Sequence, residues 1–516
     1  MATTVTDLLC NHFGGIRRKN SRFDAEQITC TDCQNVELFD TKINAGVGIR
    51  TAAGNTSVCD DFGSTEKVIG IFESTQSTIK YCLLYTEDEN EGKFYRFNAS
   101  TEELTLLKDG LSVTGKCSGT DFEHGADASD ADVFVFSNGT NMFYVDIDAA
   151  TPVVDITSND VDGNPIRGLG LKVYNNRLWV FHDNKVYSSY QSSCTDWATH
   201  SASDDNSAFG MDFSKKVTAI EPYLGSLAIF FSDSSCLLAG SKPTEYQATD
   251  DSPGGCAGYD ALIFHGTELW FYDDTKKGIF SFQQVVNGDK TLGQNVAIDI
   301  QEELLSIDKT RLDDIKTMSV VTDDRNEIWF ILPTHYRQNT TIMIFDYHHG
   351  EWVKRICQPI NCFGVVNETL YSGGAKLYRE YHGESFDGEF IESKYICSIC
   401  NFGIDNALKI FYFPPRVTLD MNRLNKFYVK YIRNYDYTKN KKEKYINAKG
   451  LKKILHYDVG ECYDSGFLYP PKKFSSIAKF PSSTFKTLEI QIYTKQQGEE
   501  FSINNFECNK VKIKQI

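Results

Sequence analysis

A short pattern recurs along this chain and limits what it can fold into. A β-branched or aromatic run meets a polar turn, and a second such run follows, ending on an aromatic. NNRLWVFHDNKVYSSY (175–190), LGSLAIFFSDSSCLLAG (224–240) and HGTELWFYDDTKKGIFSF (265–282) are three copies. Runs of this kind read as strands, and two runs about a polar turn read as a hairpin. A lone hairpin is marginally stable in water, so a series of them must pack one on another.

The runs expected to lead these hairpins begin near Lys80, Asp132, Arg177, Ser226, Glu268, Glu327 and Thr369, spaced by 52, 45, 49, 42, 59 and 42 residues. Second strands close on aromatics at FYRF (94–97), MFYV (142–145), KVYSSY (185–190), GIFSF (278–282) and MIFDY (343–347). Propeller blades repeat at about 40–50 residues, whereas sandwiches show turns every 8–12 residues without a longer period. The expected fold is therefore all-β: a six- or seven-bladed β-propeller with an N-terminal arm and a C-terminal β-domain. The expected boundaries are 1–64, 65–400 and 401–516, with the last segment able to pack on the arm. IDIQEELLSIDKTRLDDIKTM (298–318) breaks the pattern and reads as one or two short inserted helices, with Ser306 or Asp308 as a cap.

Charge divides the same way. Residues 401–516 hold 21 Lys and Arg against 11 Asp and Glu, a net of +10, whereas residues 1–400 hold 32 against 59, a net of −27. An acidic body argues against general nucleic-acid binding, which draws its affinity from phosphate neutralisation. It suits a wall past which DNA slides. No run of about 18 uncharged apolar residues occurs, so no membrane span is expected. MATTVTDLLCNHFGGIRRKN lacks the basic and apolar segments of a secretory signal. The odd count of 15 Cys then reads as thiols of a reducing cytosol.

The motifs that carry chemistry are few. GLSVTGKC (110–117) fits G-x-x-x-x-G-K, but Cys117 stands where a Mg²⁺-binding Ser or Thr belongs and no helical stripe follows, so a hairpin loop is expected. Cys30–Cys33 and Cys397–Cys400 are two C-x-x-C pairs that could make a four-thiolate zinc site if the fold joined them. They lie far apart and lack Gly-rich knuckles, so ordinary thiols are the expectation. DASDAD (127–132) and VDIDAATPVVDITSNDVDGNP (145–165) read as Asx turns, since EF-hand spacing is missing. His348 and His349, placed on a strand, would point to opposite faces and share no ligand. Sequons at Asn55 and Asn138 read as chance matches. H-E-x-x-H and G-x-S-x-G are absent. No catalytic, cofactor-binding or metal residue is assigned, no cofactor is expected, and DNA-contacting residues are unknown.

FGGI (13–16), DAEQITCTDCQNVEL (24–38), GIRTAAGN (48–55), FVFSNGTNMFYVD (134–146), GLKVYNNRLWVFHDNKVYSSYQSSCTDW (170–197), IEPYLGSLAIFFSDSSCLLAGSKP (220–243), SPGGCAGYDALIFHGTELWFYDDTKKGIFSF (252–282), IMIFDYHHGEWVKR (342–355) and LYSGGAKLYREY (370–381) follow in order. This order resembles the β-propeller tail proteins of short-tailed bacteriophages: the tail nozzle, or tail tubular B-type, and packaged-DNA stabilisation proteins. The resemblance implies a non-enzymatic virion structural protein, made in the host cytoplasm and located in the tail. Its implied partners are identical copies in a ring, usually a hexamer, portal and adaptor proteins, tail fibres or spikes, and packaged DNA passing without sequence-specific binding. The alternatives are a carbohydrate-active propeller, tailspike- or sialidase-like, and a propeller interaction scaffold. The 70 Asp and Glu leave room for a catalytic pair, but the sialidase S-x-D-x-G-x-x-W turn is missing.

Overall fold

The computed structural model describes residues 4–5, 8–10, 13–16, 28–41, 46–60, 62–63, 65–76, 78–125, 131–201, 203–282, 295–334, 339–397, 408–411, 416–420, 425–434, 441–448, 475–477, 486–508 and 511–514. It is all-β, built from many small sheets, and the chain divides into two compact units. One comprises residues 55–342 and 357–380; the other comprises 1–54, 343–356 and 381–516.

The first unit is a run of small antiparallel sheets in chain order. Sheet 1 is Lys67–Gln76, Ile79–Glu87, Gly92–Asn98 and Glu103–Leu111. Sheet 2 is Ser118–His124, Ala131–Ser137, Met142–Val145 and Val153–Asp155; sheet 3 is Leu169–Tyr174, Arg177–His182, Lys185–Ser188 and Phe209–Asp212. Sheet 4 begins Val217–Tyr223, Ser226–Phe231 and Ser234–Ala239, and sheet 5 is Leu262–His265, Glu268–Asp273 and Gly278–Ser281. Sheet 6 contributes the hairpin Lys316–Thr322 and Arg325–Leu332. Sheet 7 is Ile360–Val366, Thr369–Gly374 and Leu377–Glu380, and its fourth strand, Asn55–Cys59, comes from the start of the unit.

The apolar runs expected to lead each hairpin are instead second in their sheets. The core explains why. Cys82 and Leu84 pack with Val68 of their own sheet against Cys362 and Tyr371 of sheet 7. Leu83 and Tyr85, which alternate with them, pack against Phe134, Phe136 and Phe143 of sheet 2. Sheet 3 repeats this: Leu178 and Val180 face sheet 2, while Trp179 and Phe181 face sheet 4. A strand pressed between two neighbours is apolar on both faces, so it reads as a continuous run and draws the eye first. In sheets 2 and 6 the preceding strand, SGTDFEH or KTMSVVT, is more polar and gives a weaker signal.

First strands pack on one another in succession: sheet 1 on sheet 2, sheet 2 on sheet 3, sheet 3 on sheet 4, sheet 5 on sheet 6, sheet 6 on sheet 7, and sheet 7 on sheet 1. Tyr223 and Phe264 join sheets 4 and 5, with ring centroids 6.3 Å apart. Sheets 7 and 1 approach so closely that a Cβ at Gly364 would lie 2.4 Å from Ile71 Cγ2. Asn175–Asn176 and Leu224–Gly225 each take two successive positive φ angles, the conformation that lets a two-residue loop follow strand twist. The inserted helical segment is Ile298–Ile300, Gln301–Leu305 and Lys309–Asp314, and Asp308 caps the last by accepting from Thr310 N at 3.0 Å. Among the described residues, no helix is long and apolar enough to cross a membrane.

The second unit interleaves the two ends of the chain. Ile28–Gln34 pairs antiparallel with Lys394–Cys397, which continues to Leu488–Tyr493, Asn425–Arg433 and Lys441–Ala448. Phe13–Ile16 lies parallel to Ile28–Gln34. In another sheet, Val36–Asp40 pairs Val47–Thr51, which pairs Ser502–Cys508 and then Arg416–Leu419. The N-terminal segment is thus woven into the C-terminal strands. The division falls at 54/55, not 64/65, because Asn55–Cys59 completes sheet 7; residues 343–356 also belong with the chain ends.

Candidate functional site

Where the first strands of the first unit begin, two cavities open. One, of about 850 Å³, is bordered by Lys67, Glu87, Asp88, Arg311, Lys316 and Asn361. The other, of about 550 Å³, is bordered by Lys116, His182, Lys216, Tyr259 and Asp313. The turn Lys309–Asp314 contributes to both. Charges of both signs line them, and Lys116, Arg311 and Lys316 are paired with Asp313, Asp314 and Asp260.

Lys316 is the most enclosed. Its Nζ donates to Asp260 Oδ2 at 2.6 Å and to Tyr259 OH at 2.8 Å, and it lies 4.6 Å from the Tyr259 ring centroid. Burial works against its charge, yet Asp260, Tyr259 and Cys117 together outweigh it and raise its pKa above the ordinary value. Burial also raises the Tyr259 hydroxyl and Cys117 thiol, so both stay protonated. Tyr259 OH further accepts from Cys117 N at 3.2 Å.

Polar contacts tie sheet to sheet around this unit. Lys172 on sheet 3 meets Glu221 on sheet 4 at 2.5 Å. Thr75 N on sheet 1 donates to Asp121 on sheet 2 at 2.8 Å, and Asn367 N on sheet 7 donates to Glu73 on sheet 1 at 2.5 Å. His265 on sheet 5 lies 2.8 Å from Ser319 Oγ on sheet 6. Burial, with Asp132 and Glu73 nearby, pushes Asp121 upward. Such a lining is polar but largely self-neutralised, so it offers a polyanion few free cations to hold.

The loop 112–117 does cradle an anion, but an internal one. Glu87 Oε1 accepts from Thr114 N at 2.9 Å and Gly115 N at 3.0 Å, and Oε2 accepts from Gly115 N at 2.9 Å. Gly115 takes a φ of +68°, which aims successive amides at one point. The segment is thus a loop and not a phosphate site, but it is no hairpin: it joins the last strand of sheet 1 to the first of sheet 2, and Glu87 sits where a phosphate would.

Arg177 of the R-L-W run is buried. Its Nη1 donates to the carbonyls of Ser189, Asn206 and Ser207 at 3.0, 2.9 and 2.5 Å, and Nη2 donates to Asp205 O at 2.7 Å. It is a structural clamp for the long loop before Phe209. Asp160 Oδ1 accepts from Asp162 N and Asn164 N, and Asp146 Oδ1 accepts from Asp148 N, as Asx turns do. Most of the other Asp-rich stretch, 127–132, lies outside the described residues. Asn55 and Asn138 are buried, so both sequons are closed off in the fold.

Three of the four C-x-x-C thiols meet in the second unit. Cys30 is in register with Cys397, and a shift in pairing between Ile396 and Cys397 sets Cys30 and Cys33 within hydrogen-bonding reach despite their odd spacing. Burial first, then Cys33 and Cys397, raise the Cys30 thiol well above its ordinary value. Cys400 lies outside the described residues.

The expectation for His348 and His349 is overturned. They sit in the turn after Thr340–Asp346, not on a strand, so side-chain alternation does not apply. Both face Asp40: His348 Nε2 is 2.9 Å from Oδ2 and His349 Nε2 is 3.4 Å from Oδ1. The turn was legible in DYHHG, where an Asp precedes and a Gly ends the loop; Asp40, more than 300 residues away, carried no such signal.

No model of a known protein family and no curated protein matches the chain. Among solved structures, it is similar to PorZ, a bacterial surface component of the type-IX secretion system of Porphyromonas gingivalis, at 12% identity and a TM-score of 0.36. That alignment covers 63% of this chain and 37% of PorZ, so the chain spans little more than a third of that protein. It is also similar to the N-terminal domain of Nup159, at 10% identity and a TM-score of 0.36, over 68% of this chain and 98% of that one.

Proposed function

We propose that residues 55–342 and 357–380 form a seven-bladed β-propeller, and that the chain is a subunit of a tail nozzle or head-closure ring in a virion. Six small sheets in succession, with the hairpin Lys316–Thr322 and Arg325–Leu332 at the end of a larger one, support the blade count, as does the packing of sheet 7 on sheet 1. In this reading Asn55–Cys59 fastens the last blade, so that the ring of sheets leaves few open edges. The ordered run of motifs supports the family reading, and those motifs form strands, turns and core.

The observation that carries the function is the sheet-to-sheet pairing of charges, as in Lys172–Glu221 and Lys316–Asp260. Were a surface so paired to line the bore, it would offer DNA few free cations and let it pass with little adhesion. Identical copies would close a ring through outer surfaces, extend the DNA channel below the portal and carry fibres or spikes. The test is the protein content of purified particles together with electron microscopy of the purified chain. Several copies per particle and closed rings are expected. Absence from particles overturns the proposal.

A further inference from the structure

We propose that Asp40, His348 and His349 form a binding site for a divalent transition metal, with Zn²⁺ as the fitting ion and Asp346 as a positioning residue. All four lie in the unit formed by the chain ends.

The geometry is that of a prepared half-shell. One ligand atom from each of Asp40, His348 and His349 lies within 4.8 Å of the others. Bonds of about 2.0–2.1 Å in a tetrahedron need ligand atoms about 3.3 Å apart. His348 Nε2 lies 2.9 Å from Asp40 Oδ2 and His349 Nε2 lies 3.4 Å from Oδ1, two carboxylate oxygens at distances close to that value.

A second observation points to a ligand. His349 Nδ1 is 2.5 Å from Asp346 Oδ2; in the tautomer with the proton on Nδ1, the lone pair sits on Nε2. The His349 side chain is only 10% exposed, and its Nε2, 3.4 Å from Asp40 Oδ1, makes no well-aligned hydrogen bond there. A buried ring nitrogen without a well-aligned partner costs free energy unless something fills the place. A carboxylate behind a ligating imidazole is the arrangement that orients such rings around a metal. Asp346 does more: its Oδ1 accepts from His348 N at 3.0 Å and His349 N at 3.1 Å, which folds the turn that presents both rings. Gly350, at a φ of +68°, closes that turn by donating its N–H to Asp346 O at 2.8 Å.

Two imidazoles and one carboxylate suit Zn²⁺ and its neighbours better than Ca²⁺ or Mg²⁺, and the exposed side leaves a position for water. The ion would pin the end of strand Val36–Asp40 to the turn after Thr340–Asp346. This site stands apart from the ring proposal and is assayed on the isolated chain.

The experiment is titration of the chelator-treated full chain with Zn²⁺ against a chromophoric competitor, with Co²⁺ as a spectroscopic probe. One equivalent is expected, with Co²⁺ bands free of thiolate charge transfer. His348→Ala and Asp40→Asn should abolish that equivalent. Both side chains are about two-thirds exposed, so neither change threatens folding. Asp346→Asn should weaken binding by about 10- to 100-fold. No uptake, uptake unchanged by His348→Ala and Asp40→Asn, or a thiolate band that places the metal on cysteine would each overturn the proposal.

Discussion

The indole N–H of Trp329 donates to the carboxylate of Glu327, two residues earlier on the same strand, at 2.8 Å. Trp270 and Glu268 make the same bond at 2.8 Å in the preceding sheet. Residues two apart share a strand face, so E-x-W lets a large indole sink between sheets without stranding its N–H. Glu327→Ala leaves the buried indole without this acceptor, at a cost of about 1–3 kcal/mol. Thermal melts should show a lowered Tm for Glu327→Ala and a smaller loss for Glu327→Gln, which keeps an acceptor.

Glu87 holds the 112–117 loop through the amides of Thr114 and Gly115, and it also accepts from Tyr85 OH at 2.7 Å. Removing it in Glu87→Ala frees those amides together. Hydrogen exchange at Thr114 and Gly115 should rise by at least tenfold, since charge-assisted bonds of this kind contribute about 1.5–3 kcal/mol. Wild-type exchange should not change on adding a nucleotide.

Sheet 7 is fastened by a buried relay. Asn55 Nδ2 donates to Glu380 Oε1 at 2.8 Å, Ser372 Oγ donates to the same oxygen at 2.5 Å, and Gln358 Nε2 donates to Asn55 Oδ1 at 2.8 Å. Asn55→Leu breaks two of these bonds and leaves Glu380 with one donor fewer. Limited proteolysis should then cut near residues 55–60 before the remaining sheets, and Tm should fall.

Asp32 carries an acid-sensitive contribution. Burial alone would raise its pKa, but Lys354 at 2.5 Å and Lys394 at 3.2 Å hold it below the ordinary carboxylate value. A lowered folded pKa stabilises above the unfolded value of about 3.9, and the gain is lost as pH falls through the folded value. Melting temperatures of wild type and Asp32→Asn, followed from about pH 5 down to pH 2, should converge toward the acid end.

The buried thiols should be inert. Burial pushes Cys82, Cys194, Cys236, Cys256 and Cys362 up to about 12. Against about 8.5 for a free thiol, the thiolate fraction at pH 8 falls by roughly a thousandfold. Mass-spectrometric mapping after iodoacetamide treatment should find these five unmodified in the native chain and modified after denaturation.

Much of the fold was legible because strand patterning is local. The runs at Arg177, Ser226, Glu268 and Thr369 open strands at those residues, and the helical break at 298–318 lies where Ile298–Asp314 turns. The capping role of Asp308 was readable from its place before a short polar turn. What escaped is what depends on distant partners. The first strands of sheets 2 and 6 are too polar to announce themselves, and the place of a first strand is set by neighbours on either side. Glu87, the anion held by the G-x-x-x-x-G-K loop, ends Ile79–Glu87, two strands before the one that leads into the loop. The His348–His349 reading failed because strand parity was applied to residues that a turn presents.

The sequence alone determined the strand class, the repeat of about 40–60 residues, the inserted helical piece and the basic character of the last hundred residues. These follow from side-chain alternation, turn chemistry and charge, all properties of near neighbours in the chain. Tertiary structure decided that Asn55–Cys59 completes the sheet of Leu377–Glu380, that Val47–Thr51 pairs with Ser502–Cys508, and that Asp40 meets His348 and His349. An edge strand takes whichever partner the fold brings alongside, because backbone N–H and C=O groups are the same at every residue. No local pattern can name that partner.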